Sequence, residues 1–238
     1  MTSYVEKIGK HNILNTPPGG NTTVQLWKQL GEIESSSIVL DLACSTGFSG
    51  RSIAELSSCS IYGVDINEES LNSAARNHPA GNYFLADAGK LPFASQSFSH
   101  ILAGCCFGFF QNPIDALAEC NRVLDKQGRL LVSPFYYKST PPESLMRSVS
   151  SAIGYRPDTA RTLQYWREFF SSFFDFRMEI DIFEDIPQAT DIELVATSIT
   201  TDKRELPCED RKAFIETRRI LAEHRRYQGV KVIILEKI

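Results

Sequence analysis

Three aspartates recur at the ends of short apolar runs. Asp41 falls within Ile38-Val39-Leu40-Asp41-Leu42, Asp65 follows Ser60-Ile61-Tyr62-Gly63-Val64, and Asp87 follows Asn82-Tyr83-Phe84-Leu85-Ala86. Runs of this length and composition read as strands. Each carboxylate is therefore expected at or just past the carboxyl end of a strand, where an open parallel sheet forms its ligand crevice. Asp65 lies 24 positions beyond Asp41, near the spacing at which a carboxylate accepts hydrogen bonds from both hydroxyls of a ribose.

Groups able to take a proton are fewer. His11, His100, Tyr4, Tyr136 and Tyr137 are the candidates, and a base must come within hydrogen-bond reach of its proton. His100 falls at the start of its strand, the wrong end, and is expected to be structural. His11 precedes the loop Thr16-Pro17-Pro18-Gly19-Gly20-Asn21 and, with Tyr136, is kept as a catalytic candidate. Phe107, Phe109 and Phe110, with Trp166, Phe169, Phe170, Phe173 and Phe174, supply either a pocket wall or packing for added helices. Phe109, Tyr137 and Trp166 are the substrate-contact candidates among these aromatic residues. Cys105 and Cys106 could hold a metalloid only if Cys44 or Cys208 converged on them. A buried thiol more often acts as a small hydrophobe, so no metal is expected.

The elements that would position these groups alternate. Helical spacing spans Thr22 to Glu34, with Thr22 or Thr23 available as a cap, then Phe48 to Leu56, Glu68 to Asn77, and Pro113 to Leu124 with proline at its start. Further strands are expected at Phe98 to Gly104 and Arg129 to Phe135. Strands separated by single helices imply a parallel sheet with right-handed crossovers. Beyond Phe135 come a proline-containing loop and helices at about 143–154 and 163–174. An alternating strand at 176–182, a charged and mostly helical stretch at 188–227, and a final strand at 229–237 follow. The expected fold class is α/β: a Rossmann-like, seven-stranded, mostly parallel sheet with helices on both faces and a helical substrate cap. The whole of 1–238 reads as one domain, with an N-terminal lid and helix at 1–34, a core at 38–136 and helical cap insertions at 138–175 and 187–228.

Composition narrows the class of partner. The chain has 238 residues, 42% hydrophobic and 23% charged, with a net charge of −4, so it carries no general basic field for nucleic acid. Arg204, Arg211, Lys212, Arg218, Arg219, Arg225 and Arg226 cluster near the C-terminus and read as a solvated helix face. No apolar run is long enough to span a membrane, and the first ten residues lack the apolar core of a secretory signal. Six cysteines without a Cys-x-x-Cys pair point to reduced thiols and a cytoplasmic setting.

The segment Asp41-Leu42-Ala43-Cys44-Ser45-Thr46-Gly47 resembles the D-x-G-x-G-T-G signature of class I S-adenosylmethionine-dependent methyltransferases. Ala43 and Ser45 replace two of its glycines and resist positive φ, which predicts a repositioned loop or a weakened hold on the cofactor. Asp87-Ala88, Leu91-Pro92-Phe93 and Ser97-Phe98-Ser99-His100 resemble the next stretch of these enzymes, with His100 where they carry aspartate. Glu119 to Leu130 resembles the one after, with Gln127-Gly128 for the usual Pro-Gly. Four matches in order cover about 38–135 and are most similar to the UbiE-like small-molecule branch. A nicotinamide site would instead show G-x-G-x-x-G, of which Ser45-x-Gly47 and Gly50 are a poor version.

The resemblance implies a cofactor, S-adenosyl-L-methionine, and a product, S-adenosyl-L-homocysteine. It places Ala43, Cys44, Ser45 and Gly47 at the methionine part, Asp65 at the ribose and Ile66 on the adenine. Asp87 and Ala88 fall at the adenine edge, Gly104 and Cys105 at the methyl-donor end, and Asp41 at the head of the loop. Pro17-Pro18-Gly19-Gly20-x-x-Thr23 resembles a segment that precedes the fold in some of these enzymes, which makes Gly19 and Gly20 substrate candidates. The expected function is methyl transfer to an oxygen, nitrogen or carbon nucleophile of a partly apolar small molecule, by a monomer or homodimer. A non-catalytic S-adenosylmethionine-binding protein, or a methyltransferase acting on RNA or protein, is the alternative.

Overall fold

The computed structural model describes residues 4–182 and 206–238. Five strands run parallel in spatial order β3-β2-β1-β4-β5: β1 (Ile38–Leu42), β2 (Ser60–Asp65), β3 (Asn82–Leu85), β4 (Phe98–Ala103) and β5 (Leu124–Val132). The last strand, β8 (Gln228–Lys237), enters antiparallel beside β5. Its other edge carries β7 (Phe174–Asp181), and its first residues pair with β6 (Phe135–Tyr137).

The apolar runs arise because most of these strands are covered on both faces. Leu40, Val64, Ile101, Leu130 and Ile233 join one core with Leu117 and Phe170. Their chain neighbours Val39, Leu102, Leu131 and Ile234 join the opposite core with Trp27 and Ile53. Alternate residues thus feed alternate cores, as a period of two requires. Both sides of the sheet are helical: α5 (Pro113–Val123) and α7 (Leu163–Phe170) pack on the first core, α2 (Gly20–Leu30) and α3 (Phe48–Ser57) on the second.

Among the described residues the sheet has eight strands where the sequence predicts seven. Pro134 has no N–H to donate, so the ladder of β5 stops at Val132, and Phe135-Tyr136-Tyr137 pair separately with Val230-Gly229-Gln228. The first predicted helix also shifts: α2 begins at Gly20, and the Thr23 hydroxyl bonds back to the Pro18 carbonyl instead of capping. The helix predicted through residue 174 ends at Phe170, because Phe174 already pairs with Lys237.

Two pairs of helices pack beside the sheet. These are α1 (Tyr4–Lys10), which packs on α4 (Glu68–Asn77), and α6 (Glu143–Ile153), which packs on α8 (Cys208–Arg225). Ile8, Ile13, Leu206 and Phe214 form a separate small core that joins α1 to α8. The predicted helical stretch 188–227 is seen from Cys208 to Arg225, and residues 183–205, with Arg204, lie outside the described residues. No helix among the described residues is long and apolar enough to cross a membrane.

Candidate functional site

The loop after β1 keeps left-handed backbone at all three key positions: φ is 52° at Ala43, 51° at Ser45 and 81° at Gly47. Two residues with a Cβ thus adopt a conformation that costs each about 1–2 kcal/mol. Hydrogen bonds over-determine it. The Cys44 N–H donates to Val64 O at 2.9 Å, Gly47 N–H to Cys44 O at 2.9 Å, and Ser45 N–H to Asp65 Oδ2 at 2.9 Å. The loop is therefore not repositioned by the loss of its glycines. At Gly47 glycine is required, because a Cβ there would meet Ala74 Cβ at 2.9 Å.

Asp41 is 5% exposed and accepts from Gly50 N–H at 2.8 Å, fixing the entry to α3. Burial, with repulsion from Asp65, pushes its carboxyl up to about 7. Asp65 accepts from Ser45 N–H at Oδ2 and from Asn67 N–H at Oδ1, and burial raises it too. Each carboxylate oxygen offers two acceptor positions, so Asp65 retains capacity for a diol. It lines a cavity of about 460 Å³ together with Ala43, Ile66, Asp87, Ala88 and Phe109. Ile66 is 75% exposed, an uncovered aliphatic face fit for a flat ring. Asp87 is steadied by Gly89 N–H at 2.8 Å. Diol acceptor, apolar face and carboxylate edge fit S-adenosylmethionine.

A second cavity, of about 350 Å³, opens between the N-terminal segment, the turn after β4, the start of α7 and α8. Pro17, Cys105, Phe109, Tyr155 and Trp166 form its apolar wall. Phe109 belongs to both cavities. On the polar side Tyr137 Oη lies 2.8 Å from Nε2 of His224, which is 4% exposed. Burial, then the charge of Arg225, pushes His224 down to about 4, and burial pushes Tyr137 up to about 12. The pair is neutral at physiological pH.

The methyltransferase domain family matches residues 40–132. MccD protein, a solved structure, superposes with a TM-score of 0.80 at 35% identity, over 94% of this chain and 100% of that one. The chain belongs to the class I S-adenosylmethionine-dependent methyltransferases. Demethylmenaquinone methyltransferase of Thermotoga maritima is 35% identical over 95 residues, which are 40% of this chain and 42% of that enzyme. This methyltransferase thus spans under half the length of that curated relative. Haemonchus contortus phosphoethanolamine N-methyltransferase 2, solved with phosphomonomethylethanolamine and S-adenosylhomocysteine, has the same fold. Its TM-score is 0.76 and its identity 17%, over 98% of this chain and 56% of that one.

Within the methyltransferase the expected cofactor residues gather in one region. Ala43, Asp65, Ile66, Asp87 and Ala88 line the first cavity, with Asp41, Ser45 and Gly47 behind it as supports. Cys44 is buried, Gly104 packs near Pro17, and Cys105 faces the second cavity. Phe109, Tyr137 and Trp166 line the second cavity as well. Gly19 and Gly20 do not line it. Gly19 lies against Thr23 and Ile182, and the preceding Pro17 and Pro18 take the wall position. His11 lies outside both cavities, 3.1 Å from Asp210. Tyr136 points away from Tyr137, as strand alternation demands, and packs on Gly229. His100 is held by Gly31 O at 2.8 Å and Ser99 Oγ at 2.9 Å, the structural role expected of it. No disulfide joins any of the six cysteines, and no metal-holding group of three occurs among the described residues.

One sequence reading needs refinement. Lys212, Arg219 and Arg226 lie on an exposed helix face, whereas Arg218 and Arg225, half-exposed, line the second cavity. Sequence reasoning also missed His224, Tyr155 and Arg161. The signal was present in part: Phe214, Arg218, Leu221 and Arg225 follow helical spacing and all line the cavity. Such a stripe faces one way, but arginines within it disguised it.

Proposed function

We propose that this chain transfers the methyl group of S-adenosylmethionine to a small, partly apolar acceptor bound in the second cavity. The observation that carries the reading is the pair of cavities sharing Phe109, one lined by Asp65, Ile66 and Asp87 and the other by aromatic residues and the Tyr137–His224 pair. The sulfonium, when bound, supplies a methyl group already activated for attack. The chain then has to hold the nucleophile in line, exclude water and accept a proton where the acceptor has one to lose. Pro17, Cys105 and Phe109 stand between the two cavities or border the acceptor and would orient it. The Tyr137–His224 pair borders this cavity, which supports it as the group through which that proton leaves.

Most of the acceptor-cavity residues lie outside the matched methyltransferase domain: Tyr137, Tyr155, Trp166 and α8 follow residue 132, while Cys105, Gly108 and Phe109 fall within it. The acceptor of the demethylmenaquinone enzyme therefore does not transfer to this chain by similarity. Six cysteines without a disulfide among them support a reducing, cytoplasmic setting.

The test is turnover with S-adenosylmethionine and a panel of small aromatic and aliphatic nucleophiles, followed by chromatography of the adenosine product. Acceptor-dependent S-adenosylhomocysteine is expected, and its loss in the His224→Gln variant supports the assigned base. Methylthioadenosine in its place would mean that another sulfonium substituent is transferred and would overturn methyl transfer.

A further inference from the structure

The acceptor cavity carries a charge opposite to that of the molecule. The chain has 25 basic and 29 acidic residues, yet among the described residues Arg161, Arg218 and Arg225 line this cavity against a single carboxylate, Asp158. Each guanidinium lies over an aromatic ring: Arg161 over Trp166 at 5.8 Å, Arg218 over Phe214 at 5.9 Å and Arg225 over Phe135 at 5.4 Å. A ring beneath a guanidinium fixes its plane and leaves the N–H edge directed sideways, the geometry that recognises carboxylate and phosphate.

Several arginines elsewhere are paired with carboxylates. Arg122 pairs with Glu119 at 2.6 Å, Arg129 with Glu32 at 2.8 Å, Arg156 with Glu143 at 2.8 Å and Arg167 with Glu179 at 2.7 Å. Among the described residues, no carboxylate lies within ion-pair distance of Arg161 or Arg218. Arg161 donates from Nη1 to Gly108 O, while its Nε is buried and has no hydrogen-bond partner. A buried donor of a charged group is costly to leave unmade, so its place is explained if a ligand completes it.

We propose that the acceptor bears an oxyanion, a phosphate ester or a carboxylate, that docks on Arg161 and Arg218 with Arg225 alongside. The inference rests on the second cavity being the acceptor site. The anion lies at the arginine side of the cavity and the apolar body against Phe109 and Tyr155, whose rings are 4.9 Å apart. The downward push on His224 by Arg225 accords with the positive surroundings.

Protein saturated with S-adenosylhomocysteine is titrated calorimetrically with phenyl phosphate, benzoate and phenol. At least one anion is expected to bind about tenfold or more tightly than phenol, and the stronger of the two tells phosphate from carboxylate. Arg161→Gln and Arg218→Gln, made separately, should remove that preference while phenol and S-adenosylhomocysteine bind as before. Arg218→Lys should retain part of it, since the charge stays and the fork is lost. Equal binding of all three probes, or loss of anion and phenol together in variants that melt as the parent does, overturns the inference. Failure of S-adenosylhomocysteine itself to bind would instead overturn the reading of the first cavity, so the two failures are distinguishable.

Discussion

Asp41 and His224 are buried ionisable groups whose responses to pH run in opposite directions. Asp41 is raised to about 7, so its stabilising contribution is complete below its ordinary 3.8 and is lost as pH rises toward 7. Asp41→Asn should therefore gain stability over the parent as pH climbs through that window, by up to about 4 kcal/mol, and hold the gain above it. His224 is lowered to about 4 from 6.5, so its contribution is complete above 6.5 and is lost as pH falls toward 4. His224→Gln should remove about 3 kcal/mol of acid sensitivity over that interval. Urea unfolding from pH 4 to 8 checks both, and parallel curves for parent and variants would refute them. Ala43→Gly tests the loop: relieving φ of 52° should stabilise by about 0.5–1 kcal/mol after the added freedom of the unfolded glycine is offset. The carboxylates were legible in the sequence because strand ends are legible. The left-handed alanine and serine were not, since hydrogen bonds donated by the Cys44 and Ser45 N–H groups to Val64 O and Asp65 Oδ2 hold the loop against its own preferences.

At the scale of elements, the turn after α1, at Asn12 and Ile13, is tied to the cofactor loop and α4 by polar bonds. The Thr46 hydroxyl donates to Ile13 O at 2.9 Å, Asn77 Nδ2 donates to Thr46 O at 2.9 Å, and Asn12 and Asn77 exchange amide hydrogen bonds at 3.1 and 2.8 Å. Asn12 is 5% exposed, so removing its partner strands a buried amide at a cost of about 1–3 kcal/mol. Asn77→Ala should accelerate hydrogen exchange across residues 4–13 more than across β1 and β4. Uniform acceleration would mean that the segment opens only with the whole domain. The doubly covered strands and their helices were readable as apolar runs and helical spacing. Strand β6 was not, because three residues after a proline carry no period. The cavity-facing side of α8 was misread because its stripe alternates arginine with phenylalanine and leucine.

For the whole molecule, a ligand that binds only the folded state stabilises it by mass action. S-adenosylhomocysteine at a hundredfold its dissociation constant should add about 2.7 kcal/mol and raise the melting midpoint by about 5–10 °C in a chain of this size. Asp65→Ala should abolish most of that shift, and scanning calorimetry with and without ligand reads it directly. The single aromatic wall between the cavities extends this arithmetic. Phe109 is 51% exposed and borders both spaces, so an occupant that fixes its ring on one side alters what the other side meets. Thermodynamic reciprocity then makes each ligand's effect on the other the same factor in both directions. One rotatable side chain, Phe109, is the point at which the two occupants would be coupled.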